Sequence, residues 1–266
     1  MRHCLALFAL FLSLPLSAAQ LHLELGASAR EWSSAELLGH PEAQDISVDQ
    51  DVSYKRPMHY RAVPLATLLV GVSPSDHLQA VALDGFAAEM PAAPLLQQGP
   101  ARAWLAVEHP DKPWPALGKG KPSAGPFYIV WTEPRASGIR PEQWPFQIST
   151  LRKLAAVETR FPALLPDPKL PADSPVREGF ALFQQNCMAC HRLNGAGDAQ
   201  MGPDLNMPHN PTEYFQPGYL RKLIRDPQSL RQWPQAKMPG FTESVLSEQE
   251  LDALLAYLGH MAGRKP

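Results

Sequence analysis

The chain has 266 residues, enough for one large domain or two small ones, and its hydrophobic share of 45% is that of a globular protein. Its 24 basic and 26 acidic residues leave a formal net charge of -2, which excludes both the basic excess that attracts nucleic acid and a strongly acidic tail. Proline occurs 29 times, about twice the usual share of roughly 5%, so many loops and at least one stiff connection are expected.

Residues 1–19 read as an export signal. Arg2 and His3 give a short basic start, Leu5 to Leu16 a mostly apolar run, and Ser17-Ala18-Ala19 the small residues of a cleavage site before Gln20. The apolar run is shorter than the roughly 20 residues that span a bilayer. No other stretch is long and apolar enough, so no integral membrane segment is expected after signal cleavage. A periplasmic location follows, in a Gram-negative cell. Cys4 leaves with the signal, and only Cys187 and Cys190 remain.

Residues 20–160 read as a mixed α+β domain. Leu21 to Leu25 alternates apolar and polar, the period of a half-buried strand. Ile46 to Val52 and Gln79 to Leu83 are further strand candidates. Phe127 to Trp131 is a continuous apolar run, as a strand covered on both faces would be. Ser33 to Leu38 opens a short helix and Pro64 to Leu69 another. Met58-His59 could ligate a metal, but ordinary packing is the better expectation for such a pair. Asp84-Gly85 reads as a turn. Trp104, Trp114, Trp131 and Trp144 read as core and loop anchors. Lys112, Lys119 and Lys121 read as a solvated loop. No catalytic residue is assigned.

Residues 161–175 hold Pro162, Pro166, Pro168, Pro171 and Pro175. Proline fixes φ and lacks an amide donor, so an extended, semi-rigid linker is expected here.

Residues 176–266 read as all-α. Ser174-Pro175 is an N-cap with proline at the first helical position. Val176, Gly179, Phe180 and Phe183 follow at helical spacing. Gly218 to Arg225 predicts a second helix, stopped at Asp226-Pro227. Ser247 to Glu250 forms a capping box, and Leu251, Leu254, Leu255 and Leu258 then make an apolar stripe.

Cys187-Met188-Ala189-Cys190-His191 is C-x-x-C-H, the attachment signature of c-type haem. Each thiol can add across one vinyl group, and the adjacent imidazole is then held beside the iron. A zinc site would need further cysteines or a spaced pair of histidines, and a thioredoxin-like pair would sit near a βαβ unit, whereas this neighbourhood reads as helical. The candidates for the sixth iron ligand are Met201, Met207, Met238, Met261, His209 and His260. Met238 is favoured, because its loop before the last helix is well separated from His191. Met201 and Met207 lie too close to the attachment site, and Met261 reads as core. A thioether opposite a histidine raises the iron potential and closes the site to added ligands.

Residues 174–266 resemble the class I cytochrome c domain. The resemblance rests on the helix before Cys187, the C-x-x-C-H, Gly202-Pro203-Asp204-Leu205, Met238-Pro239 and the last helix with Tyr257-Leu258. It implies one covalent haem c, with His191 and Met238 on the iron. It implies a crossing of the first and last helices where Gly179-Phe180 meets Tyr257. It also implies that the Pro203 carbonyl holds the His191 imidazole, which would raise its basicity.

Residues 20–150 resemble the sulfite-oxidase-like molybdopterin-binding fold. The matching patches are Tyr60 to Leu69, Val81 to Phe86, and Leu105-Ala106 followed by Gly118 to Val130. The stretch where that family's enzymes carry a molybdenum-binding cysteine, about residues 46–60, contains none, and Ala62 stands where glycine is usual. Thiolate ligation is unavailable here. Molybdopterin is therefore not expected, and a docking or scaffold module is the leading reading. Binding of the pterin without a protein sulfur, or of a copper ion or small organic ligand, stays open.

Together these readings describe a periplasmic monohaem carrier of single electrons. Its N-terminal domain docks a redox partner: another cytochrome, an oxidase or a dehydrogenase. An electron carrier is favoured over an enzyme. The alternative is an oxidoreductase whose N-terminal domain holds the substrate-oxidising cofactor and whose haem is the electron outlet. A haem sensor would need an open axial position.

Overall fold

The computed structural model describes residues 18–134, 139–216, 218–232 and 236–266. The export signal read in residues 1–19 lies outside the described residues apart from Ala18 and Ala19.

Among the described residues the N-terminal region contains nine strands: β1 (Gln20–Leu25), β2 (Ser28–Ser33), β3 (Gln44–Val48), β4 (Met58–Pro64), β5 (His77–Ala82), β6 (Ala87–Pro91), β7 (Arg102–Val107), β8 (Phe127–Thr132) and β9 (Ile148–Leu154). They form a five-stranded sheet in the order β2-β1-β9-β5-β6 and a four-stranded sheet in the order β3-β4-β7-β8. Among the described residues only the β1–β9 pairing is parallel. The alternation read in β1 is real, since Leu21 and Leu23 point inward while Gln20 and Glu24 do not. Gly26, at φ +80°, makes the tight turn into β2 that an L side chain would strain. Residues of both sheets share one apolar core.

Strand β8 is buried from Phe127 to Trp131 although it ends its sheet. The chain at residues 144–146 covers that edge. Ile129 N–H donates to the Pro145 carbonyl at 3.0 Å, and Tyr128 bridges to Phe146. Covering an edge strand removes its unpaired backbone groups from solvent. Strand β3 stops at Val48, short of the expected Val52. Beyond it, the buried Asp51 carboxylate accepts the amides of Ser53 and Tyr54 and the hydroxyls of Tyr60 and Tyr128, which turns the chain. The expected helices are single turns, α1 (Ser34–Leu38) and α2 (Leu65–Leu68). Two more single turns follow, α3 (Ala92–Leu95) and α4 (Val157–Arg160). The region is thus sheet-rich, with only minor helix.

The C-terminal region is helical: α5 (Pro175–Asn186), α6 (Pro211–Tyr214), α7 (Tyr219–Arg225), α8 (Pro227–Leu230) and α9 (Glu248–Ala262). Ser174 caps α5 by accepting the Val176 amide, and Ser247 with Glu250 forms the capping box of α9. These two helices cross at Gly179. A Cβ there would stand 2.0 Å from the Ala253 carbonyl oxygen and 2.7 Å from the Tyr257 Cβ. Phe180 and Phe183 pack on Tyr257 with ring centroids 5.5 Å apart in each case.

The proline-rich stretch does not stand free between the regions. Pro162–Leu164 forms a 3-10 turn, and Leu164 is buried in the helical core together with Val157. The Tyr257 hydroxyl donates to the Leu164 carbonyl at 2.7 Å, and the Asp167 amide donates to His260 Nε2 at 3.0 Å. Arg177 donates to the carbonyls of Pro168, Leu170 and Pro171. Proline-rich chain offers free carbonyls and few amides, and this segment spends its carbonyls on donors from α5 and α9. Among the described residues no helix is long and apolar enough to cross a membrane.

Candidate functional site

Helix α5 delivers the C-x-x-C-H segment. Its backbone bonds run on past Asn186, with the amides of Cys187 and Met188 reaching the Phe183 carbonyl and the His191 amide reaching the Cys187 carbonyl. This keeps Cys187, Cys190 and His191 in one tight turn. Met188 and Ala189 between the cysteines are buried. Neither thiol is in a disulfide. Desolvation pushes the Cys187 thiol up to about 12 and the Cys190 thiol up to about 11, so both are protonated in the unmodified chain. The charges of Asp84 and Glu142, both from the N-terminal region, act in the same direction on Cys190, while Lys237 opposes them.

His191 is fixed by the loop that follows. Its Nδ1 donates to the Pro203 carbonyl at 2.8 Å, which leaves Nε2 as the unprotonated nitrogen. Desolvation lowers the imidazole pKa and favours that neutral form, against the opposing pull of Pro203 and Asp204. Gly202 lies flat against the ring. A Cβ on it would come within 2.5 Å of His191 Cε1, so only glycine fits. The Gly202 amide closes back on the Cys190 carbonyl at 2.7 Å, and the Leu205 amide on Arg192 at 2.8 Å.

Polar side chains then tie this loop to the last helix. Asn206 donates to Asn194 Oδ1 and to the Met261 carbonyl, and Asn210 donates to Asn206 Oδ1 and the Leu258 carbonyl. Asn206 and Asn210 are fully buried. Each ties the loop to a carbonyl in the last turns of α9, and its own buried amide is satisfied by doing so. Sequence reasoning passed over both, because an asparagine in a loop reads as a turn residue until its distant carbonyl partners are known.

The sixth-ligand candidates separate by location. Met261 is buried in the core of α9. His260 is occupied by the Asp167 amide. The His209 side chain is 74% exposed, and Met207 projects to solvent. Met201 sits with its sulfur 3.7 Å from Cys190, on the attachment side. Met238, in the loop before α9, packs partly buried on the helical core.

In the N-terminal region, Met58 and His59 are neighbours on β4 and so point to opposite faces. Met58 is buried, while exposed His59 meets Ser47 at 2.9 Å. Trp104, Trp131 and Trp144 are buried in the sheet core, and Trp114 packs edge-on against Tyr60. Among the described residues no cluster of three His, Cys, Asp or Glu side chains could hold a metal ion. Glu142 was not singled out by its sequence. It lies in a 3-10 turn (Pro141–Gln143) with its Oε2 buried and unpartnered, and desolvation raises its pKa to about 7.

The chemistry available here is that of two unpaired thiols, one imidazole with a free Nε2 and an apolar helical surround. That donor set fits a covalently held haem. No curated protein matches the chain. Residues 176–262 match the family model for cytochrome c, so the helical C-terminal region is a cytochrome c domain, which implies a haem held by covalent bonds and a role in electron transfer.

Proposed function

We propose that the chain is a periplasmic monohaem c-type cytochrome that transfers single electrons between redox partner proteins. Cys187 and Cys190 would form the two thioethers, His191 Nε2 the first axial bond and Met238 the second. The observation that carries this reading is the His191 imidazole, pinned by the Pro203 carbonyl and backed by Gly202, in the turn that also holds both thiols. The haem supplies a one-electron ferric–ferrous couple. The protein's part is to fix the imidazole tautomer through Pro203, which also strengthens the nitrogen as a donor. The helical core keeps water from that side. A Met238 thioether on the iron would favour electron transfer over ligand activation.

The N-terminal region is assigned the sulfite-oxidase-like fold and a role in docking a redox partner. Its support is the order of the matching patches and their placement: Tyr60 to Leu69 runs along β4 into α2, and Val81 to Phe86 makes the β5–β6 turn. The missing cysteine in residues 46–60 speaks against molybdenum. The apolar run and small residues of positions 1–19 support export to the periplasm.

Metal analysis of the exported, purified protein, with carbon monoxide added to the reduced form, tests these assignments. Iron equimolar with the chain, without molybdenum or copper, and no change in the spectrum with carbon monoxide are expected. Met238→Ala should open the site and bind the gas. Equimolar molybdenum would make the protein an oxidoreductase with the haem as outlet. Carbon monoxide binding by the unmodified protein would contradict Met238 ligation and point to a sensor.

A further inference from the structure

Among the described residues, three of the sets of contacts that join the two regions lie at or near the haem-attachment segment and the chain between Met238 and α9. The Ala87 amide, at the start of β6, donates to the carbonyl of Ala189 between the two cysteines at 3.0 Å. The β5–β6 turn lies alongside. Gly85 there, at φ +89°, would place a Cβ 3.9 Å from the Gln200 side chain. The Asp84 carboxylate next to it stands 3.5 Å from the Lys237 ammonium. Asp84 thus pairs with the residue that precedes Met238. One turn of the N-terminal region therefore reaches both the attachment segment and the Met238 loop.

The other two sets hold that turn in place. Arg140 donates to the Val245 carbonyl and to Glu250, each at 2.6 Å. Arg160 joins Glu89 at 2.7 Å to Asp198 at 2.6 Å, and Gln79 donates to both of those carboxylates. The Glu89 side chain is only 3% exposed. Parting the regions would take both Arg160 and Gln79 away from the Asp198 carboxylate, so this junction resists opening.

We propose that the N-terminal region is a fixed wall of the haem site and that the Asp84 carboxylate is one of the charges that set the reduction potential. The inference rests on haem attachment at Cys187 and Cys190. Reduction adds one electron and removes one positive charge at the iron, so a fixed anion nearby stabilises the oxidised state and lowers the potential. Lys237 offsets part of that effect. If the region swung away, Asp84 would be lost beyond a screening length of about 8 Å and its charge would have no influence.

The test is a redox titration of the full-length holoprotein, followed by its haem absorption bands. Asp84→Asn keeps an oxygen for the Phe86 amide, which Oδ1 now accepts at 3.2 Å, so the turn is retained. Asp173→Asn, at an exposed position of the proline-rich stretch, carries the same change in net charge. The expected result is a higher potential for Asp84→Asn, with the reduced-to-oxidised ratio at a fixed poise raised about threefold, and no shift for Asp173→Asn. Equal potentials for Asp84→Asn and the unmodified protein would overturn the proposal. Equal shifts in both variants would also overturn it, since net charge alone would then account for them. Protein lacking covalent haem bands would instead refute the reading on which the proposal rests.

Discussion

Glu142 keeps one carboxylate oxygen buried without a hydrogen-bond partner. Its pKa rises to about 7 from an ordinary 4.5, first because its charged form is poorly solvated, with Arg140 compensating only in part. The folded protein therefore keeps a proton that the unfolded chain releases above pH 4.5. This contribution to stability is fully present below that pH and is lost as the pH rises through about 7, by about 3 kcal/mol in total. Thermal melts at a series of pH values should show that loss in the unmodified protein and its removal in Glu142→Gln. Parallel pH profiles for the two would contradict it. The sequence around Glu142, a proline before it and a glutamine after, reads as an exposed turn. The turn that holds it packs instead against β6, some 50 positions earlier, and local sequence cannot carry that. Gly202 and Pro203 were legible, since their motif stands beside the histidine they hold.

At the scale of elements, legibility followed agreement between signals. In α5 and α9 a side-chain cap, a good first turn and an apolar stripe of helical period coincide, and both helices begin where expected. Strands β2, β4, β6, β7 and β9 have no counterpart among the strands expected from the sequence. Residues 28–33 leave mostly exposed side chains, and a strand of that kind is specified by its partner rather than by its own pattern. The single-turn helices α3, α6 and α8 begin at or beside proline and end within a turn, too short for any period to register. The α5–α9 crossing is the element contact that carries most weight. Gly179→Ala must displace the Ala253 carbonyl or separate the helices, because the added methyl would sit 2.0 Å from that oxygen. Overpacking of this kind costs about 1–3 kcal/mol. The variant should melt several degrees below the unmodified protein. An unchanged melting temperature would show that the helices do not approach this closely.

The whole molecule holds two apolar cores, one between the sheets and one among the helices, and the proline-rich segment belongs with the second. An extended linker was the natural expectation from five prolines in fifteen residues. It fails because the donors that fix this chain, the Tyr257 hydroxyl, Arg177 and Asn194, lie outside it in sequence. The same holds for the junction between the regions. Gln79 and Asp198, which meet at 2.8 Å, are 119 residues apart. The haem motif, by contrast, is written in five consecutive residues. Extracting the exported protein with acidified solvent, and assaying haem in both fractions, shows whether this turn carries one haem through two carbon–sulfur bonds. One haem per chain should stay with the protein, and the Cys187→Ser, Cys190→Ser double variant should retain none. Haem that leaves the unmodified protein freely, or retention unaffected by the double variant, would contradict the account.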